Sequence, residues 1–256
     1  MDALSSTKPL RPNQNIQTHF PETADIETSS EEYANRFTGK VGKFFLDVQT
    51  AITLDLLKPW QKATILDVGG GHAQLAVPLV HRGFHVTVTG SSEECRNRLD
   101  RLMEAGSFRF QQSNILSLPF EDKCFDVVVA FRLLPHVRQW KNLIAEMCRV
   151  SRKAVLVDYP DILSFNIVSE YLFRAKKAIE GNTRPFTCFS REEITTEFLK
   201  HGFTHPVLRP ELFVPMALHR AMNSATISKT LEYLSRVSGM THLFGSPVIL
   251  RVTSSA

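Results

Sequence analysis

In residues 64–73, Thr-Ile-Leu-Asp-Val-Gly-Gly-Gly-His-Ala, an apolar β-rich run ends in Asp67 and Val68 and passes straight into three glycines. A helical pattern resumes through Leu75, Leu79 and Val80, so the stretch reads as strand, tight turn, helix. Glycine admits positive φ and lets a ligand approach main-chain N–H groups, while a helix N-terminus contributes a favourable dipole. The chemistry implied is a binding pocket floored by Gly69, Gly70, Gly71 and His72. Other reactive or polar types gather where further strand-like runs stop: Gly90 and Ser91, Asn114 and Ile115, Phe131 to Leu133, and Asp158 with Tyr159. His136 follows in the loop after the fourth run. His72 and His136 are each a general base, a substrate-orienting group or a ring that satisfies a backbone carbonyl. His81 and His85, like His201 and His205, are four residues apart, but each pair straddles a helix end and a Gly-Phe turn. They do not share a helix face as metal ligands would, and no metal site is expected.

The elements that position these groups alternate regularly. Strand-like runs lie at 63–68, 84–89, 108–112, 125–131 and 154–158, with helical patterns at 72–82, 92–105 and 139–150 between them. Apolar, β-branched strands in β-α alternation predict a mostly parallel sheet covered on both faces, with a ligand beyond the carboxyl ends at a switch point. Upstream, residues 1–29 are rich in polar types without apolar period and are expected to form a flexible tail. Ser30 with Tyr33 and Phe37 reads as a short capped helix, and Phe44, Phe45, Val48, Ile52, Leu56 and Leu57 continue at helical spacing. Tyr33, Arg36 and Gln49 either pack on the sheet or line the lip of the site.

Downstream, 164–179 is amphipathic, and Arg174, Lys176, Lys177 and Arg184 concentrate positive charge. They form either a solvated face or a site for a carboxylate or phosphate on a substrate. Ser190 with Glu193 reads as a capping box, 216–222 and 227–237 as helices, and 247–252 as a final strand. The intervening helices look like an insertion that caps the site, with Phe213, Met216, His219, Tyr233 and Phe244 lining it or packing in the core.

Composition narrows the class. The chain has 256 residues, 43% of them hydrophobic, and a net charge of +4 without a block of like charges, so a nucleic-acid arm is not expected. Cys95, Cys124, Cys148 and Cys188 are scattered, which argues against a disulfide framework and for a reducing cytoplasm. No apolar run approaches the roughly 20 residues of a membrane span. A dinucleotide fingerprint starting at Gly69 and Gly71 finds Gln74 in its third glycine place, and no acid ends the second strand, so nicotinamide binding is the weaker match.

The ordered set Ile-Leu-Asp-Val-Gly-Gly-Gly-His-Ala, Val-Thr-Val-Thr-Gly-Ser-Ser, Leu-Pro-Phe-Glu-Asp-Lys-Cys-Phe-Asp-Val-Val-Val, Leu-Pro-His-Val and Glu-Met-Cys-Arg-Val resembles class I S-adenosylmethionine-dependent methyltransferases, most of all the branch acting on small molecules. The likeness runs from about Thr64 to Asp158. It implies a Rossmann-like α/β fold: a mostly parallel seven-stranded sheet, helices on both faces, an antiparallel last strand, N-terminal helices and a helical cap. A single domain over 30–256 would comprise N-terminal helices (30–62), a cofactor-binding core (63–160) and substrate-side helices with the final strands (161–256).

The resemblance also assigns roles. Asp67, Gly69, Gly70, Gly71 and His72 match the turn beneath the methionine part of S-adenosyl-L-methionine. Asn114, with Ile115, stands where an aspartate often meets the adenine amino group. Phe131, Arg132 and Leu133 match the segment whose carbonyls meet the methionine ammonium. The family's ribose-gripping acid at the end of the second strand is absent, its place taken by Gly90. Charged hydrogen bonds of that kind are worth roughly 1.5–3 kcal/mol, about ten- to a hundredfold in affinity, and Ser91 or the Gly90 main chain is expected to stand in. His136 and Tyr159 are the candidates for handling an acceptor proton, and Tyr33, Arg36, Arg132, Arg174 and Arg184 for holding a small-molecule acceptor. Methyl transfer to oxygen or carbon is the function this implies. A protein that binds the cofactor without transfer is the alternative, and Gly90 favours it.

Overall fold

The computed structural model describes residues 20–164 and 186–255. Seven strands form one sheet: β1 (Thr64–Val68), β2 (His85–Gly90), β3 (Arg109–Gln112), β4 (Phe125–Ala130), β5 (Ser151–Tyr159), β6 (Phe203–Pro210) and β7 (Val248–Ser254). Their order is β3-β2-β1-β4-β5-β7-β6. The first five are parallel, and β7 runs antiparallel to both β5 and β6. Leu66 sits between Thr87 of β2 and Val128 of β4. Strand order reverses between β1 and β4, so their carboxyl ends diverge into the crevice where such sheets hold ligands.

The continuous apolar runs arise because both faces are covered. In β4, Val128 and Ala130 pack with Leu143, Ile144 and Met147 of α6 (Trp140–Val150) and Ile194 and Phe198 of α7 (Arg191–Lys200). Val127 and Val129 face the other way, with Leu56 of α3 (Gly39–Leu56), Leu79 of α4 (Ala76–His81) and Leu99 of α5 (Asn97–Leu102). At the amino-terminal end of β4 Asp126 accepts from the Thr64 amide at 3.1 Å and pairs with Arg152 at 2.7 Å and Lys153 at 2.8 Å. Burial alone would raise its pKa, but these partners hold the carboxyl well below the ordinary aspartate range.

Several caps form as the sequence predicts. The Ser30 hydroxyl accepts from the Tyr33 amide at the start of α2 (Glu31–Asn35), and Ser190 accepts from the Glu193 amide. The helix expected over 72–82 is shorter: Gly70–His72 is a 3-10 turn, Ala73 takes φ 60°, and regular helix begins only at Ala76. A larger correction concerns the tail. Within the stretch expected to be flexible, Ala24–Thr28 forms a helix, α1, packed against the glycine turn. Beyond β6 come α8 (Met216–Met222) and α9 (Ala225–Val237), where the sequence predicted helices, and a short α10 (Met240–Phe244) that it did not. The amphipathic segment with Arg174 and Arg184 lies outside the described residues.

Candidate active site

The glycine turn is built by close approach. Gly69 has φ 71°, where a side chain would be strained, and a Cβ on Gly70 would strike the Asp67 carboxyl. Asp67 is fully buried and neither of its oxygens has a partner among the described residues. Burial, reinforced by the charge of Asp158, pushes it up to about 8, so the carboxyl keeps its proton at neutral pH. The Thr89 hydroxyl at the end of β2 and the Ser113 hydroxyl after β3 are likewise buried without partners. Buried polar groups without partners cost about 1–3 kcal/mol each, and three strand ends carrying them around one glycine cradle mark a place built for a polar ligand. On this ground the residues present fit the polar groups of an adenosyl cofactor.

The floor is covered, however, by the chain itself. Gly69, Gly70, Gly71, His72, Gly90 and Ser91 are all buried. A Cβ on Gly69 would lie 2.9 Å from Leu133 and 3.2 Å from the Cβ of Asp25, and one on Gly71 would strike the Ser29 hydroxyl. Asp25 of α1, 0% exposed, accepts from the Ser91 amide and the Ser91 hydroxyl, each at 2.6 Å. Ser91, expected against the ribose, is therefore engaged by an N-terminal carboxylate. Gly90 has its own constraint: a Cβ there would come within 2.6 Å of the Cys95 Cβ and 3.3 Å of Phe110. A side chain at this position would need Cys95 to shift.

His72 is fully buried, its Nδ1 accepting from the Gln74 amide at 3.1 Å. Burial, with Arg132 nearby, lowers its pKa to about 3, leaving a neutral ring unable to accumulate charge. Asn114 already uses its side-chain oxygen on the Leu116 amide at 3.0 Å, and Ile115 is buried in the core. The Phe131 ring belongs to the core packed on α3, α4 and α5, so only its main chain is left for a ligand. Tyr159, also in the core, packs edge-on against Phe189, and burial pushes its phenol well above the ordinary range. That placement corrects the expectation that it removes an acceptor proton. His136 is half-buried beside Phe186, 5.5 Å between rings, in the loop at the carboxyl end of β4.

Arg132 organises the second half of the site. It takes φ 58°, unusual for a residue with a side chain, and its amide donates to Asp158 at 2.5 Å. Its guanidinium donates to the Gln49 side chain and stacks 4.0 Å from the Phe37 ring. Phe37 in turn meets Tyr33 at 5.9 Å, and Arg36 lies 4.8 Å over the Tyr33 ring. The structure thus brings Tyr33, Arg36, Gln49 and Arg132 into one aromatic-cationic strip. Sequence reasoning missed Glu211, just past β6, whose carboxyl is fully buried without a partner among the described residues. Burial and the nearby Asp158 push it up to about 8, and burial raises Asp158 to about 6 despite Arg132 beside it. A lone Glu after a strand carries no sequence signal.

The cap differs from expectation in detail. His219 is fully buried, bonded to the Ser228 hydroxyl and Glu232 at 2.9 Å each, and Glu232 also accepts from the Phe213 and Val214 amides. This network fastens α8 and α9 to the loop after β6. Tyr233 is 67% exposed, and Phe244 is likewise solvent-facing.

Residues 66–157 match the model of a methyltransferase domain family. The chain is 31% identical over 114 residues to the O-methyltransferase cnsE of Penicillium expansum, covering 42% of this chain and 41% of that protein. It is 26% identical over 120 residues to an O-methyltransferase of Pyrenophora dematioidea, covering 44% of this chain and 45% of that protein. The chain therefore spans about two-fifths of the length of the curated relatives it matches. Among solved structures, a possible histamine N-methyltransferase of Thermotoga maritima superposes with a TM-score of 0.63 at 18% identity, covering 90% of this chain and 98% of that one. Magnesium protoporphyrin IX methyltransferase of Synechocystis with bound S-adenosylhomocysteine gives 0.61 at 12% identity, with the same coverage of each chain. These likenesses establish the shared fold. Residues 66–157 are therefore similar to a methyltransferase domain, set in a fold that the chain shares with these solved structures.

Proposed function

We propose that the protein methylates a small-molecule acceptor at oxygen, using S-adenosyl-L-methionine. The observation that carries this reading is the glycine cradle ringed by unpartnered polar groups at three strand ends, inside the matched domain. The curated relatives named as O-methyltransferases favour oxygen over carbon as the acceptor atom. Asp67, the 69–72 turn, Ser91, Asn114 and the main chain of 131–133 would hold the cofactor, which supplies a methyl group already activated on a sulfonium. Transfer to a correctly placed nucleophile is a displacement in which positioning contributes about 7–11 kcal/mol, and a base adds on the order of 10² to 10⁴ in rate. Tyr33, Arg36 and Arg132 form the acceptor-side strip, suited to a planar or anionic acceptor. His136, half-buried in the loop after β4, is the group that takes the acceptor's proton.

Incubation with tritium-labelled cofactor and phenolic or carboxylic acceptors tests this. Label in an organic-extractable product, abolished by Arg132→Ala, supports the reading, whereas bound cofactor without transfer to any extract fraction supports a non-catalytic binder. That second reading draws on one observation, the covering of the cradle by α1. A cytoplasmic location fits four cysteines with no Cys-x-x-Cys spacing. Cell fractionation tests it.

A further inference from the structure

We propose that α1 is a displaceable plug of the cofactor site, with Asp25 competing for the donors that a nucleoside uses at the end of β2. The inference rests on the cofactor reading above and goes beyond it by assigning the site a closed state.

Three anchors hold the segment down. Asp25 takes both the amide and the hydroxyl of Ser91, and its Cβ lies over Gly69. Upstream, Glu22 accepts from the Arg138 and Gln139 amides at 2.9 and 3.2 Å, where the chain enters α6. Downstream, Glu31 pairs with Arg98 and Arg101 of α5, and Arg98 also donates to the His72 carbonyl at 3.0 Å. With these in place, the turn, Gly90 and Ser91 are buried by protein alone, and the volume over Gly69 and Gly71 belongs to Asp25 and Ser29. A nucleoside and α1 cannot share it.

The plug is built to come away. Its helix is five residues long and has no side-chain N-cap, and the contacts that seat it are mainly polar. Water and the ligand both offer replacements for such contacts. Gly90, crowded by Cys95, carries no acid, and Asp25 brings a carboxylate from the N-terminal segment to Ser91, next to the end of β2. Binding therefore proceeds only from the fraction of molecules in which α1 is undocked, and apparent affinity falls by that fraction.

The test compares S-adenosylhomocysteine binding by calorimetry in the full-length chain and in its Asp25→Ala and Glu22→Ala variants, with amide hydrogen exchange of residues 20–31 as a readout independent of activity. Glu22 bonds the Arg138 and Gln139 amides at the entry to α6 and not Ser91, so its variant reports on the latch without removing a donor at the end of β2. The proposal expects each variant to bind about tenfold or more tightly than wild type, and exchange in residues 20–31 to accelerate when ligand is added. Unchanged or weaker binding in both variants, or exchange that slows on ligand addition, overturns the plug and leaves the cofactor reading intact, with Asp25 then holding the nucleoside. Binding by none of the three folded proteins overturns the cofactor reading itself.

Discussion

Asp67 offers a sharp test of how this site stores strain. Its carboxyl is fully buried, lacks a partner among the described residues and is raised from 3.8 to about 8 by burial and by Asp158. A carboxyl whose folded pKa is raised keeps a proton that the unfolded chain gives up. Its contribution to stability is complete below about pH 4 and is lost as the pH climbs towards 8. Within that window each pH unit costs about 1.4 kcal/mol, so raising the pH from 5 to 7.5 removes about 3 kcal/mol through this one group. For a chain of this size that is a fall of about 6–12 °C in melting temperature. Asp67→Asn keeps the shape and removes the titration. Thermal melts of both proteins across that range are expected to show the variant gaining about 3 kcal/mol relative to wild type as the pH rises, with Asp158 and Glu211 contributing slopes common to both. A difference that stays constant across the range would mean that Asp67 is paired or solvated and does not hold its proton.

Other substitutions probe separate parts of the structure. Gly90→Asp, which introduces the acid that the resemblance led one to expect here, drives a Cβ to 2.6 Å from Cys95 and is expected to lose about 1–3 kcal/mol, read as a lower melting temperature without tighter ligand binding. Glu232→Ala strands the Phe213 and Val214 amides and the buried His219 ring, a loss of about 2–5 kcal/mol by denaturant titration that also loosens α8 and α9 in hydrogen exchange. Asp126→Asn weakens the contacts to Thr64, Arg152 and Lys153, so the variant is expected to be less stable by about 1–3 kcal/mol at pH 7. Because the folded pKa of Asp126 is depressed, that gap is expected to close as the pH falls below about 4.

The parts of the fold that follow from local chemistry were readable in the sequence. β-branched runs such as Val127 to Val129 form strands because both faces of β4 are buried, and Ser30 and Ser190 cap where hydroxyls precede helical periods. The glycine turn was legible because few other residues tolerate its φ values. Residues 24–28 were not, since a five-residue helix has no room for an apolar period and is held by Asp25 reaching a serine 66 positions away. Tyr159 looked like a site residue because it ends a strand, yet its ring turns into the core against Phe189. Arg132 was singled out for its place after β4. Its left-handed backbone and its stacking on Phe37 come from tertiary contacts that no local pattern announces.

A cofactor seated on the 69–72 turn and the end of β2 would lie against a small, defined set of peptides. Photochemical labelling of the intact chain with tritium-labelled S-adenosylmethionine, followed by peptide mapping, identifies them directly. Label is expected in peptides spanning residues 64–75 or 86–98, displaced by unlabelled S-adenosylhomocysteine. Label that resists displacement, or that falls only on peptides remote from these strand ends, would contradict that seating.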